Sequence, residues 1–494
     1  MNSTMPRKPI GISGLAAYIP PYRVWLEDWC NWTDNQWPKI REVVGRSFRV
    51  RGPHQSVYTM AANAVIRLID QYDVDPGRVR FLGLGTESST DNSAGAIIVK
   101  GMVDQALTAR GKPPISRRCE VPEFKHACLG GVYGMKGAIR HLALDGAGSQ
   151  AIVVCADIAE YARGSSGEPT QGAGAVAMLL EEDPKLAVVD LIGSGSASDY
   201  RIMDFRKPML RFCGQDRTES HQVQDFPVFN GKYSTTCYID ETLNALNDMY
   251  ERRKLNSIAH LRSLSTLFLH RPYRRMPETG MAVCYLFALA KGTSEDRAEL
   301  ASYCYESGIN VDALLAEMVS KPEVSELAGP DRHQSEAYPM TMAVLSAFRA
   351  SRHYRHEILD KLRLGSDTML DLGNLYTAAL PAWMAAGFEQ ALEENSLSAG
   401  EEVLTLGYGS GDAAEVIPFF MAEGWREATQ KIQFADSMEL TIDLDRQQYE
   451  ALHDGRRAQG LDYIARNEFV IDRVGNSDSR HFSDLGIEYY RYIA

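Results

Sequence analysis

The sequence predicts an α/β fold. Short apolar runs alternate with longer segments of helical period, and a strand, a helix opened by one polar residue and a further strand occur in both halves of the chain. The 494 residues, 45% of them hydrophobic, are enough for a large core and too apolar for a disordered chain. At roughly 150 residues per domain, two to four domains fit the length.

The elements follow in order. Over 57–72 the period places Met60, Ala61, Val65, Leu68 and Ile69 on one helical face, and Asp75-Pro76 stops the helix. RVRFLGLGTES (78–88) reads as a buried strand running into a polar loop, and CLGGVYGMKGAIRHLALDG (128–146) as a Gly-loosened helix closed by Gly146. QAIVVCADIA (150–159), GAVAMLL (174–180) and LAVVDLI (186–192) are further strands. In the second half STLFLHRPY (265–273) is a strand, NLYTAALPAWMAAGFEQALEE (374–394) a helix rich in small residues, and EVLTLGYGSGDAAEVI (402–417) a strand entering a Gly-rich loop.

Two similar αβ halves are therefore expected, 1–195 and 196–494. Glu87 to Cys128 spans 41 positions and His270 to Asn374 spans 104, so the excess of 63 marks an insertion in the second copy, near 293–340. The last sixty residues, from about Ile432, read as an appended strand-and-helix cap.

Charge narrows the function. With 65 acidic and 52 basic side chains the formal charge is −13, which disfavours general nucleic-acid binding and leaves room for a local basic mouth. The start of the chain has no continuous apolar stretch of the signal-peptide kind, and no run approaches the roughly 18 apolar residues of a membrane span. A cytoplasmic address is expected. Eight cysteines occur without a CxxC pair, and several, such as Cys155 and Cys284, sit in apolar runs. His126, Cys128 and Cys119 match no metal-ligand spacing, so no metal is expected. GSGD (409–412) and GAGAVA (172–177) do not fit the dinucleotide fingerprint, and no Walker lysine motif is present.

Four residues could carry chemistry. Cys128, in FKHACLGGVYG, precedes a helix whose unpaired N–H groups would favour the thiolate, and Gly130 and Gly131 would admit a thioester close to the backbone. A buried structural cysteine fits the same residues. Glu87 ends a buried strand, where desolvation would raise its pKa and suit it to proton transfer; a helix cap or ion-pair partner is the alternative. His270 ends another core strand and could donate to a carbonyl oxygen gaining charge, or be a satisfied core histidine. Asn374, after Gly373, opens a helix as its N-cap, or else orients His270 or donates to a substrate carbonyl.

Nine segments, in order from about residue 8 onward, resemble the 3-hydroxy-3-methylglutaryl-CoA synthase family of the thiolase superfamily. They are GTESSTDNS (85–93), HACLGG (126–131), CADIAEYARG (155–164), EPTQGAGAVAMLL (168–180), MDFRKP (203–208), PVFNGKYSTTCYI (227–239), FLHRPYRRM (268–276), GNLYTAALPA (373–382) and GYGSG (407–411). The resemblance implies a thiolase-like fold, two fused αβ repeats in a layered α-β-α-β-α core, as a homodimer. It also implies an acetyl group on Cys128, proton removal from the acetyl methyl by Glu87, and His270 with Asn374 on the acceptor ketone. Backbone N–H groups of Cys128 and Ser410 would bind the thioester oxygen, with Asp157 and Tyr161 in supporting roles. The substrates would be acetyl-CoA and a β-ketoacyl thioester, with no separate cofactor.

Two departures from the family pattern stand out. Leu129 follows the cysteine where the family usually has a tyrosine, and Arg275 replaces a lysine five positions after the histidine. With Arg271 and Arg274 it would form a basic mouth for the phosphates of coenzyme A or of a carrier protein's phosphopantetheine arm, although a run of arginines also makes an ordinary solvated face. Three readings follow: condensation of acetyl-CoA with acetoacetyl-CoA, the same chemistry on a carrier-bound β-ketoacyl group in polyketide β-branching, or a non-catalytic acyl-CoA-binding subunit. The presence of all four chemical residues argues against the last.

Overall fold

The computed structural model describes residues 8–494 apart from 90–91, 205, 208–225, 228–229, 321–322, 330, 333–334 and 462. Cys213, and parts of the GTESSTDNS, MDFRKP and PVFNGKYSTTCYI segments and of the 293–340 stretch, lie outside the described residues.

In chain order the strands are β1 (Ile10–Tyr18), β2 (Tyr22–Trp25), β3 (Ser47–Val50), β4 (Val79–Gly85) and β5 (Glu123–Phe124). Then come β6 (Gln150–Ala159), β7 (Gly172–Glu182), β8 (Ala187–Val189), β9 (Gly195–Ser198) and β10 (Leu267–Leu269). The last are β11 (Glu402–Gly409), β12 (Ala413–Met421), β13 (Ile442–Asp443), β14 (Glu468–Val474) and β15 (Glu488–Ile493).

The halves repeat one topology. β4 pairs parallel with β6 and β6 antiparallel with β7, while β10 pairs parallel with β11 and β11 antiparallel with β12. In each copy the last helix before the second strand of the parallel pair lies beside the sheet, Gly130–Ala143 in the first copy and Ala379–Glu394 in the second. The parallel pairs need a crossover, which is why a long helical pattern separates the strands in sequence. Short contacts of β8 with β1 and with β12 join both copies into one path, β10-β11-β12-β8-β1-β7-β6-β4-β5.

Five layers result. Helix Val57–Gln71 packs on β1, β6 and β7 from outside, and helix Gly130–Ala143 packs on β4, β6 and β7 from within. Between the two sheets, Val132 and Met135 of that helix face Leu380, Pro381 and Met384 of helix Ala379–Glu394 across an apolar cavity of about 20 Å³. Helix Gly231–Arg253 covers β9 and β12 on the far side, backed by helix Arg275–Ala290. The 293–340 stretch adds helices Ser294–Ser307 and Val311–Ser320 beyond it.

Helix Val57–Gln71 starts on a Ser56–Thr59 capping box, and all five residues of its expected apolar face are buried. Its Asn63 is buried as well. The amide accepts from Phe469 N at 2.6 Å and donates to Phe469 O at 3.2 Å, fastening β14 of the C-terminal β14–β15 hairpin. Before that hairpin, β13 pairs parallel with β2 and helix Arg446–His453 packs Tyr449 and Leu452 against Tyr22, Val24 and Phe48. The C-terminal region is thus a strand-and-helix cap, as its composition suggests. Among the described residues no helix is long and apolar enough to cross a membrane.

Candidate active site

Glu87, Asp157, His270 and Ser410 lie at or near the carboxyl ends of β4, β6, β10 and β11, the place where α/β sheets put their ligand chemistry, while Cys128 and Asn374 stand outside the strands. Asp157, near the end of β6 and fully buried, organises the first half of the site. Its Oδ1 accepts from Thr86 Oγ1 (2.9 Å), Glu87 N (2.8 Å), Ser88 N (3.0 Å) and Ser88 Oγ (2.8 Å). Its Oδ2 accepts from Thr377 N at 3.0 Å and lies 2.5 Å from Thr377 Oγ1. Asp157 therefore ties the Glu87 turn of the first half to the Asn374 loop of the second.

Glu87 is held by its backbone, and its Oε1 is buried without a partner among the described residues. Burial, reinforced by the charge of Asp157 and opposed by Lys207, holds its carboxyl well above the usual range. A carboxyl that holds its proton more tightly than usual is suited to exchanging it with a substrate.

Cys128 stands among Ala159, Tyr161 and Tyr376 and is 8% exposed. It follows Ala127, whose φ of +42° turns the chain just ahead of helix Gly130–Ala143. The expected low thiol pKa is corrected here. Burial, then the charges of Glu87, Asp157 and Asp204, push the thiol well above its ordinary value. Low dielectric and three carboxylates outweigh the nearby helix end.

The two glycines after Cys128 also act differently from expectation. A Cβ on Gly131 would stand 2.2 Å from Cys155 Sγ, and one on Gly130 would stand 2.6 Å from Phe124 O. A Cβ on Gly85 would meet Gly131 at 2.5 Å. They let the helix start press onto β4, β5 and β6. What approaches the backbone there is the protein itself.

His270 is buried after β10, with N–H to Leu406 O at 2.7 Å and its own carbonyl taken by Tyr238 Oη at 3.2 Å. Nδ1 has no partner among the described residues. Burial lowers the imidazole to about 3, so it is neutral at physiological pH, with one ring N–H to donate. Its ring stacks 6.5 Å from Tyr408, whose hydroxyl donates to Asp204 at 2.9 Å. Asp204 also receives Gly411 N at 3.3 Å and the Ser410 hydroxyl. Close approach of Gly409 to His126 and Leu129 sets this β11–β12 turn, with Ser410, on the Cys128 loop.

Asn374 does not open the helix. Helix Ala379–Glu394 starts five residues later, after a 3-10 turn over Tyr376–Ala378. Instead Asn374 N donates to Thr170 O at 2.9 Å, and its Oδ1 accepts from Tyr376 N at 2.9 Å. The preceding Gly373, at φ +75°, sits where a Cβ would overlap Gln171 O. The amide Oδ1 is thus spent on the turn that carries Tyr376, whereas its Nδ2 makes no hydrogen bond among the described residues.

Beside this cluster opens a cavity of about 480 Å³. Glu87, Ser88 and Tyr376 form its inner wall, Arg51 and Lys207 supply cations, and His453 and Asp454 close one side. The thiol lies next to Tyr376, so the cavity reaches the reacting centre at that ring.

A family model described as "Hydroxymethylglutaryl-coenzyme A synthase N terminal" matches residues 6–185. The hydroxymethylglutaryl-CoA synthase of Haloferax volcanii is 27% identical over 407 residues, which cover 81% of each chain. The chain is thus similar to hydroxymethylglutaryl-CoA synthases along most of its length. Its fold is shared with the solved structure "MvaS in complex with 3-hydroxy-3-methylglutaryl coenzyme A" (TM-score 0.73, 23% identity, covering 99% of this chain and 100% of that one). It is shared also with the Curacin biosynthetic pathway HMG synthase in complex with acetyl donor-ACP (TM-score 0.69, 18% identity, covering 98% and 100%). The architecture is thus the thiolase-like one expected for the family.

The three arginines do not make a joint basic mouth. Arg271 is buried, donates to Ser366 O at 3.1 Å and Ser366 Oγ at 2.7 Å, and lies over the Trp383 ring. Arg274 pairs with Glu278 at 3.3 Å, and Arg275 with Glu42. Residues missed in the sequence are Tyr376, Thr377, Tyr408 and Asp204, and the cavity cations Arg51 and Lys207. All but Arg51 stand in segments quoted for the resemblance, which is where a signal lay.

Among the described residues, two groups bring ligand-type atoms within 4.8 Å of one another: Glu120, His141 and Asp145, and Asp204, Cys237 and Asp412. In the second, Arg201 Nε stands 3.5 Å from Asp412 Oδ1 and already supplies positive charge. Neither group contains Cys119, His126 or Cys128.

Proposed function

We propose that this protein is an acyltransferase that condenses acetyl-CoA with acetoacetyl-CoA through an acetyl-Cys128 intermediate. The observation that carries the reading is the placement of Glu87 and Cys128. A buried carboxyl with an oxygen unpartnered among the described residues raises the pKa of a buried thiol, and both border Tyr376 at the end of one cavity.

In the first step the Cys128 sulfur attacks the thioester carbonyl, and the C–S bond to coenzyme A breaks as the proton lost by Cys128 passes to the departing sulfur, releasing coenzyme A as its thiol. Backbone N–H groups at Cys128 and Ser410 bind the oxygen that becomes negative. Next Glu87, in its ionised form, takes a proton from the acetyl methyl, and the resulting carbon attacks the ketone of acetoacetyl-CoA. Neutral His270, assisted by the Asn374 amide, donates to the ketone oxygen. Protonated Glu87 returns its proton to the new alkoxide. Water then cleaves the Cys128 thioester, giving back the thiol and a free carboxylate. Holding the acetyl group on sulfur makes the carbon–carbon step effectively intramolecular.

A second reading has the same residues acting on groups carried by an acyl carrier protein in polyketide β-branching. It draws on the fold shared across 98% of the chain with the Curacin pathway enzyme bound to its donor-ACP. In either case CoA-type thioesters are substrates and no separate cofactor or metal enters a step. A homodimer follows from the family resemblance, and a reducing cytoplasm suits seven free cysteines among the described residues.

The test is incubation with labelled acetyl-CoA or acetyl carrier protein, peptide mapping of the label, and mass analysis of products from free and carrier-bound β-ketoacyl acceptors. Label on Cys128 and a branched product support the reading. Label absent from Cys128 with every donor removes it.

A further inference from the structure

The C-terminal helix Arg446–His453 reaches the site through a closed set of buried hydrogen bonds. It begins on a capping box, with Gln448 N to Asp445 Oδ1 at 2.8 Å and Asp445 N to Gln448 Oε1 at 3.1 Å. β13 and the Tyr22–Phe48 cluster fix it to the body of the protein. On its inner face Tyr449 Oη donates to Glu168 Oε1 at 2.7 Å and accepts from Gln171 Nε2 at 2.8 Å. Gln171 Oε1 in turn accepts Tyr161 N at 2.8 Å, and His453 Nε2 donates to Tyr161 O at 2.8 Å. Glu168 Oε2 takes Gly164 N at 2.7 Å, closing the loop between them.

Both backbone groups of Tyr161 therefore end on this helix, one directly and one through Gln171. Tyr161, Glu168, Gln171, Tyr449 and His453 are all buried, so each broken bond leaves a polar atom without water to replace its partner. The Tyr161 side chain lies in the small buried cluster that holds Cys128 and meets Tyr376 edge-on, ring centroids 6.4 Å apart. His453 and the following Asp454 also wall the cavity that Glu87 opens into.

We propose that helix Arg446–His453 is a working part of the site, with Tyr449 and His453 as positioning residues that hold Tyr161 against the Cys128 thiol and fix the adjoining cavity wall. This rests on the proposed function for its catalytic consequence, though the hold on Tyr161 is a matter of geometry alone. A thiol that must attack a carbonyl near 3 Å tolerates little drift of the ring beside it, since displacement by 1 Å can cost on the order of a hundredfold in rate.

The experiment uses the full chain carrying His453→Ala, His453→Gln or Tyr449→Phe. Two quantities are read: the single-turnover rate of Cys128 acetylation from labelled acetyl donor, and the pH profile of Cys128 alkylation by iodoacetamide. Expected are a loss of about tenfold to a hundredfold in acetylation for His453→Ala, with the donor KM little changed, and about tenfold for Tyr449→Phe. His453→Gln, whose Nε2 reaches the same carbonyl, recovers most of the rate. The alkylation midpoint shifts in His453→Ala and returns in His453→Gln. Folded variants with wild-type acetylation and an unmoved profile overturn the proposal, as does a loss that His453→Gln shares in full. If the wild type takes no acetyl label, the proposed function fails, while the alkylation profile still decides the hold on Tyr161.

Discussion

Thr377 Oγ1 lies 2.5 Å from Asp157 Oδ2, a contact between residues 220 positions apart that joins the two halves of the fold at the reacting centre. The same carboxylate gathers the backbone of Glu87 and Ser88, so one buried anion sets the relative place of both half-sites.

Asp157→Asn replaces an acceptor oxygen by an amide that faces N–H donors. Loss of these charge-assisted bonds should destabilise the protein by about 3 kcal/mol and lower turnover beyond the loss of folded protein. Chemical denaturation beside single-turnover acetylation checks this; unchanged stability would show that the hub does not hold the site.

Glu87 gives a stability that depends on pH. Its folded-state pKa lies above the unfolded value, so the unfolded chain releases the proton first as pH rises. Stability is fully present below the ordinary glutamate range and is lost as pH climbs toward the folded pKa. Glu87→Gln should therefore gain Tm over wild type at pH 8 and match it near pH 4, while condensing nothing. Scanning calorimetry at both values reads the difference.

His270 has the opposite sign. With a folded value of about 3 against an ordinary 6.5, the unfolded chain takes up the proton first, so stability falls as pH drops from 6.5 toward 3. His270→Asn should flatten that acid limb. It should also cut kcat for condensation on the order of a hundredfold and leave Cys128 acetylation nearly intact. Equal loss in both half-reactions would deny His270 its place on the acceptor.

The arginines should separate into two kinds. Arg271→Ala removes a buried bond to Ser366 and the contact with Trp383, and should cost about 2 kcal/mol of stability. Arg274→Glu and Arg275→Glu break only surface pairs, worth at most about 1 kcal/mol each, and should leave Tm nearly unchanged. If carrier protein is the donor, they should weaken its use more than that of free acetyl-CoA. Competition assays with both donors measure the ratio.

Sequence pattern alone determined a good deal here. Alternating apolar runs and helical periods marked strand–helix–strand units around Glu87 to Cys155 and around His270 to Gly409. Backbone preference and burial periodicity are local properties, which a single chain displays without its partners. β1 escaped notice because IGISGLAAY carries two glycines and no alternation, and it is a strand through its pairing with β7. Asn374, too, reads locally as a helix opener, while the fold uses it to shape the Tyr376 turn.

What only the tertiary structure decided are quantities that arise when distant residues meet. A helix end argues for an acidic thiol at Cys128, but burial and then the charges of Glu87, Asp157 and Asp204, brought together by the fold, reverse the sign. Gly130 and Gly131 look like room for substrate and turn out to be room for Phe124 and Cys155. Arg271 looks like part of a charged mouth and is closed over Trp383. Tyr449 and His453 sit in a stretch that reads as an appendage, yet they grip the residue next to the thiol. Through-space charge and desolvation depend on which surfaces close over one another, and no window of neighbouring residues contains that information.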